Sequence, residues 1–356
     1  MLIGSTIATL YFDSYRTYCA LFESHENGLA LTYLNATSQA FDWTRPLTEA
    51  LDSPAMLELE EILRPIAGKA RALGIAMTME SVLSHQIPYS NTLTTDELRR
   101  IVRLEASEHL PTYDPSQFLA TIYPLYGFAS NPFTAMSVLV SRTITGVAEH
   151  ASTLLGADLQ RFVSAQTSAH TAFVHSYPEE RSVTALCSVQ HGFMDISIVR
   201  NSVLLHTATI SLEEALQQAF LNNSEKNVSG NNATASDAML ADDEILLNNG
   251  FGLMCREVLA EASEAVQSAI DNVYFFGADF TKTAFDEATA VLSMPVKRLN
   301  PLRRMSTSLD SRLQEYASRV AHVLVPNVGA ALPEIQAGII LSSHLPPHRQ
   351  PHRMSA

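Results

Sequence analysis

The sequence predicts an α/β protein built of two domains with related topology. Three observations carry that expectation. The chain opens with three short strands, a helix and a fourth strand. The same order begins again about 180 residues later. A strand-helix-strand block over 85–126 is set into the first domain. At 356 residues the chain is also long for one hydrophobic core.

Each element follows from a local pattern. Leu2–Phe12, Thr17–Glu23 and Leu29–Leu34 read as strands, separated by turns with Asp13-Ser14 and Glu26-Asn27-Gly28. A helix then places Met56, Leu59, Ile62, Leu63 and Ile66 on one face and ends near Gly74, before the strand Ile75–Met79. In the 85–126 block, Thr94 or Thr95 can cap a helix whose first turn carries Asp96 and Glu97, where the helix dipole favours acid. Leu98, Ile101, Val102, Ala106 and Leu110 recur at helical spacing, and Pro111 stops the helix. Phe118–Tyr123 reads as extended. Met136–Val140 is a further strand, Thr145–Leu155 a helix ended by Gly156, and Leu159–Val163 a strand.

In the second half, Val183–Cys187, Phe193–Arg200 and Ser202–Ile210 read as strands, followed by a helix over Ser211–Leu221. Residues 222–250 are rich in Asn, Ser, Ala and Asp without periodicity, and read as a mobile loop. Asp242-Asp243-Glu244 within it lacks the ligand spacing of a calcium loop and suits a helix N-terminus. A helix over Leu253–Ile270, the strand Asn272–Phe276, a turn at Gly277 and a helix-strand unit ending at Val296 follow. The last predicted helix is Leu309–Val325, and the Pro/His tail 343–356 reads as disordered. His344, His348 and His352 recur every fourth residue, but the prolines among them forbid a common helical face.

Composition narrows the function classes. At 46% hydrophobic and 17% charged the chain can bury large cores. A net charge of −14 argues against nucleic-acid binding, which needs a basic face. Arg298, Arg303 and Arg304 form a local basic group that reads as a solvated loop. Cys19, Cys187 and Cys255 lie far apart, as expected for reduced, buried thiols. The first twelve residues lack a basic leader, and no apolar run approaches the roughly 18 residues of a membrane span. A soluble, cytoplasmic protein is expected. Phosphate-loop, serine-elbow and His-Glu-x-x-His motifs are absent from the sequence.

The strand-strand-strand-helix-strand order resembles the opening of each half of the actin and sugar-kinase superfamily. Within the 85–126 block, Leu93-Thr94-Thr95-Asp96-Glu97-Leu98, the helix and Ala106-Ser-Glu-His-Leu110-Pro111 resemble one wording closely. It is the Leu-Thr-x-x-Glu-Leu, helix, Ala-x-x-x-Leu-Pro pattern of the PilM family of type IV pilus assembly. The resemblance covers about residues 1–335. It implies a two-domain actin-like (ribonuclease H-like) fold, with domains 1–165 and 180–325 and 85–126 as an inserted subdomain.

The superfamily holds ATP and Mg²⁺ with two D-x-G turns and a turn bearing two glycines, because backbone N–H groups must approach phosphate without a Cβ in the way. Here Asp13-Ser14-Tyr15 keeps the acid and has tyrosine for glycine. A left-handed residue there would cost about 1–2 kcal/mol. Asp13 alone suffices as a turn former. The second turn, Ser188-Val189-Gln190-His191-Gly192, has no acid, Asp195 falls in the next strand, and Phe276-Gly277-Ala278-Asp279 keeps one glycine. Asp13, Thr17, Gly192 and Gly277 are therefore degenerate nucleotide candidates, with ATP and Mg²⁺ disfavoured and no metal assigned.

The resemblance also implies a partner, the cytoplasmic tail of a bitopic inner-membrane protein like PilN. The tail would lie in a groove walled by Thr78, Glu80, Val82, Phe118, Ala120 and Ile122. The reading is then a non-catalytic scaffold of a pilus or type II secretion-like assembly, peripheral to the membrane through that partner. The alternative is an active actin-like ATPase or sugar-kinase-like phosphotransferase with atypical phosphate turns.

Overall fold

The computed structural model describes residues 4–26, 28–78, 82–110, 114–126, 134–190, 192–217, 243–336 and 338–341. The chain forms two compact units. The described residues up to 124, with 134–164 and 338–341, belong to the first; 125–126 and those of 165–336 belong to the second.

In the first unit a sheet grows from β1 (Thr6–Phe12), antiparallel to β2 (Thr17–His25), which pairs in turn with β3 (Gly28–Ala36). On its other side β1 runs parallel to β4 (Ala72–Met77), and β4 parallel to β8 (Asp158–Ser164). Parallel neighbours need a crossover. Between β1 and β4 it includes α1 (Leu47–Leu51) and α2 (Pro54–Leu63), the latter capped by Ser53 and burying Met56, Leu59 and Leu63. Trp43 stacks on Phe41 at 4.8 Å, and Phe12 meets both rings edge-on.

A second layer of this unit contains β5 (Val82–Pro88), β6 (Phe118–Leu125) and β7 (Thr134–Ser141). Its strand order is Ile339–Ile340, β6, β7, β5. Helix α3 (Thr95–His109) lies on one face and starts in a capping box: Glu97 N donates to Thr94 Oγ1, and Thr94 N donates to Glu97 Oε2 at 2.7 Å. Leu98, Val102 and Ala106 pack there with Ile87, Ala120, Ile122, Ala135 and Leu139. The layer runs past the expected boundary at 126 to Ser141, because β5 pairs with β7 over its whole length. From β7 the chain enters α4 (Arg142–Leu155), ended by Gly156 at φ +63°.

The second unit has a sheet in the order β11, β10, β9, β12, β13, the same order as β3, β2, β1, β4, β8. The strands are β9 (Thr184–Gln190), β10 (Phe193–Arg200), β11 (Val203–Ser211), β12 (Asn272–Phe276) and β13 (Val296–Arg298). The core holds Val189, Cys187, Ile196 and Phe275 of the sheet with Phe251, Met254 and Val258 of α6 (Asp243–Ala265) and Ala288 of α7 (Lys282–Val291). Helix α6 begins at Asp243, so the end of the loop expected over 222–250 is helical. The helix expected over Ser211–Leu221 is present over 212–217. Residues 222–242 and the tail 343–356 lie outside the described residues.

The helix expected over Leu309–Val325 is two helices. α8 (Ser311–Arg319) starts at the Asp310 cap, and α9 (Val325–Ala331) begins after a turn, with Pro326 in its first turn. Helix α5 (Ala165–Ser176) has no counterpart among the expectations, since Ala, Ser, Thr, Gln and His are buried almost all round it and leave no amphipathic period. α5 and α9 touch backbone to backbone: a Cβ at Gly329 would stand 2.0 Å from the Ser168 carbonyl oxygen. His170 of α5, 2% exposed, donates from Nε2 to the Ser202 carbonyl at 3.0 Å. Asn201 and Ser202, both at positive φ, make the two-residue turn between β10 and β11.

Two stability tests follow from this unit. Gly329→Ala overpacks the α5–α9 crossing and should cost about 1–3 kcal/mol in urea unfolding. Burial pulls the His170 pKa down to about 4, and the Ser202 carbonyl opposes that only in part. The unfolded state, titrating near 6.5, therefore takes up this proton first as pH falls. Stability from neutral His170 is complete above about pH 6.5 and should shrink by about 2 kcal/mol by pH 5. His170→Gln keeps a donor without the titration, and its urea midpoints at pH 7.5 and 5 should lie closer together than those of the native chain.

Candidate functional site

The four nucleotide candidates sit at strand ends in both units. In the first, Asp13 leaves β1 with 3% exposure; its Oδ1 accepts from Ser14 N at 2.7 Å and its N–H donates to the Arg16 carbonyl at 3.0 Å. These bonds close the four-residue turn to β2, and Tyr15 stands 41% exposed on it. Thr17 is buried in β2; its N–H donates to Thr37 Oγ1 and its carbonyl accepts from Thr37 N. Asp13 thus takes part in the hydrogen bonding of its own turn.

In the second unit Gly192 ends the β9–β10 turn at φ +79°, with open space where a Cβ would go. Asp195, three residues on in sequence, lies opposite Ser188 in the ladder and accepts from Thr209 Oγ1 at 2.7 Å. It faces across the sheet. Gly277 has φ +104°, donates to the His322 carbonyl, and lies so close to β9 that a Cβ would stand 2.6 Å from the Val189 carbonyl oxygen. The positive φ and the packing against β9 each favour glycine at 277.

The partner candidates do not share one wall. Thr78 follows β4 in the first sheet and donates from its N–H to the Phe12 carbonyl. Glu80 lies outside the described residues. Side chains alternate along strands. Phe118, Ala120 and Ile122 therefore point together toward α3, into its core. Val82 pairs with Val140 in the opposite phase from Leu83 and Leu139, which belong to that core. Ala120 and Ile122 also carry a backbone partner that was not expected: Ile339 and Ile340 pair with Ile122 and Thr121, and Leu341 N donates to the Ala120 carbonyl at 2.9 Å. Arg99 of α3 donates from Nε to the Leu341 carbonyl at 2.9 Å. The legible signal was the short apolar run Gly338-Ile339-Ile340-Leu341 after a polar stretch.

The electrostatics near these features are quiet. Burial pushes the Cys19 thiol up to about 12 and raises those of Cys187 and Cys255, so all three stay protonated. His85 of β5 stands 5.7 Å from the His109 ring, and neither of its nitrogens has a hydrogen-bond partner. Burial first, then the charge of His109, pulls its pKa to about 4, so it is neutral at pH 7. Arg303 and Arg304 share Glu179 at 2.7 and 3.0 Å, while Arg298 stacks over Phe280 and Phe285. Among the described residues no group of three His, Cys, Asp or Glu side chains could hold a metal ion.

No family model and no curated protein matches this chain. Solved structures resemble it in fold. A PilM–PilN type IV pilus biogenesis complex aligns with a TM-score of 0.62 at 14% identity, over 92% of this chain and 98% of that chain. A Bacteroides thetaiotaomicron protein with an actin-like ATPase fold and unknown function aligns at 0.46 and 10% identity, over 85% and 95%. The cytoplasmic domain of EpsL, an inner membrane component of the Vibrio cholerae type II secretion system, aligns at 0.40 and 9% identity, over 84% and 98%. At these identities the likeness is one of fold, and the chain has the mixed α/β, actin-like fold.

Proposed function

We propose that this protein is a non-catalytic, actin-like scaffold of a type IV pilus or type II secretion-like assembly. It holds the extended cytoplasmic tail of a bitopic inner-membrane protein of the PilN kind, and is peripheral to the membrane through that tail. The likeness to the PilM–PilN complex, which runs through nearly the whole of both chains, is the observation that supports this reading most. The extra layer of β5, β6 and β7 offers strand edges, where an extended tail gains affinity from backbone pairing and selectivity from side-chain pockets. No described helix is long and apolar enough to cross a membrane, which fits recruitment through a partner.

A second reading, an ATPase or sugar-kinase-like enzyme, is favoured by one feature, the buried Asp13 at the end of β1. Against it stand the turn bonded by its own Asp13, the acid-free turn at Gly192 and the Val189 carbonyl oxygen close to Gly277. Calorimetry with Mg-ATP separates the two. The scaffold should bind more weakly than about 1 mM, and a low-micromolar dissociation constant would establish a nucleotide site instead.

The partner is tested with a synthetic peptide carrying the cytoplasmic tail of a bitopic inner-membrane protein of the PilN kind from the same organism. It should bind the scaffold and slow amide hydrogen exchange in β5 or β6. Absence of binding, or protection confined to the turns of the second unit, defeats the tail reading.

A further inference from the structure

The edge of β6 is closed by the chain itself. Residues 338–341 arrive as an added antiparallel strand, with Ile339 opposite Ile122 and Ile340 opposite Thr121. Two features anchor the segment. Leu341, 3% exposed, is part of the α3 core with Leu98, Val102 and Ile122. Its backbone is held on both sides, N–H to the Ala120 carbonyl and carbonyl to Arg99 Nε. Gly338 completes the fit: a Cβ there would stand 2.4 Å from Thr121 Cγ2 and 2.8 Å from the Tyr123 ring. The added strand is otherwise slight. It spans two registers of the eight-residue β6, and Ile340 is 55% exposed.

We propose that the β6 edge is a strand-acceptor site, closed in cis by residues 338–341, which an incoming extended segment must displace. The contacts define what it takes. Backbone pairing along 120–122 and the Arg99 bond to a carbonyl accept any extended chain. The crowding at Thr121 and Tyr123 demands a glycine, and the α3 core demands an aliphatic side chain three residues later. The preferred ligand is thus an extended Gly-x-x-aliphatic segment. A site open only part of the time binds more weakly in proportion to its open fraction. As a route for a membrane protein's tail, this inference rests on the scaffold reading above; the acceptor site itself does not.

The probe is a fluorescein-labelled peptide with the sequence of residues 335–345, read by polarisation. A full-length Gly338→Val, Leu341→Asp variant should expel its own segment and bind this peptide about tenfold or more tightly than the native chain. Should that variant misfold, Leu341→Ala alone, which trims the segment's own anchor and leaves the acceptor residues intact, should still tighten peptide binding about threefold. Equal affinity of native and opened chains overturns the closure in cis. Failure of a folded, opened variant to bind the peptide overturns the acceptor site. Peptide binding without binding of the membrane protein's tail upholds the acceptor site and counts against the tail as its occupant.

Discussion

Strands β1 and β9 are each clamped between an antiparallel neighbour and a parallel one, and the rest of each unit is arranged around that double pairing. A strand with two partners and a covered face on either side cannot alternate polar and apolar residues. Accordingly every residue of β9 is buried, and so are the last six of β1. The antiparallel partner requires a tight turn at the strand's end; the parallel partner requires a crossover long enough to hold helices. The Asp13 turn and the Gly192 turn are thus structurally equivalent products of one constraint. They differ in how they are made, one by an aspartate bonding its own turn and the other by a left-handed glycine.

The same distinction bears on the glycine at 277. In a nucleotide-binding chain, a glycine beside a strand end leaves room for a ligand. At Gly277 a Cβ would meet the Val189 carbonyl oxygen, so the residue type alone does not discriminate between ligand approach and strand approach. Only the register of the neighbouring strand separates them.

Elements whose local pattern agrees with their final environment were legible. Phe193–Arg200 and Asn272–Phe276 have the bounds their patterns indicate, and Thr94 and Glu97 make the capping box that begins α3. Helix α5 was illegible because burial on all sides erases the periodicity by which a helix is read. Apolar spacing through Val320–Leu324 concealed the break between α8 and α9, although Pro326 marked a first turn. The candidate wall of Val82, Phe118, Ala120 and Ile122 is divided between two strand faces, for another reason. One residue of register decides which face a strand side chain takes, and register is set by β7, which the pattern does not reveal. The strand at 339–340 is two residues long and its partner lies far away in sequence, so the apolar run that marks it does not say which strand it joins.

The packing of Trp43 face-on to Phe41 and edge-on to Phe12 has a spectroscopic consequence. Trp43 is the chain's single tryptophan, and its ring partners among the described residues, Phe41 and Phe12, lie in the first unit. Its emission is therefore a private reporter of that unit, while far-ultraviolet ellipticity sums over both. Divergent midpoints from the two signals would mean that the units melt separately, and one unfolding free energy would then not describe the molecule.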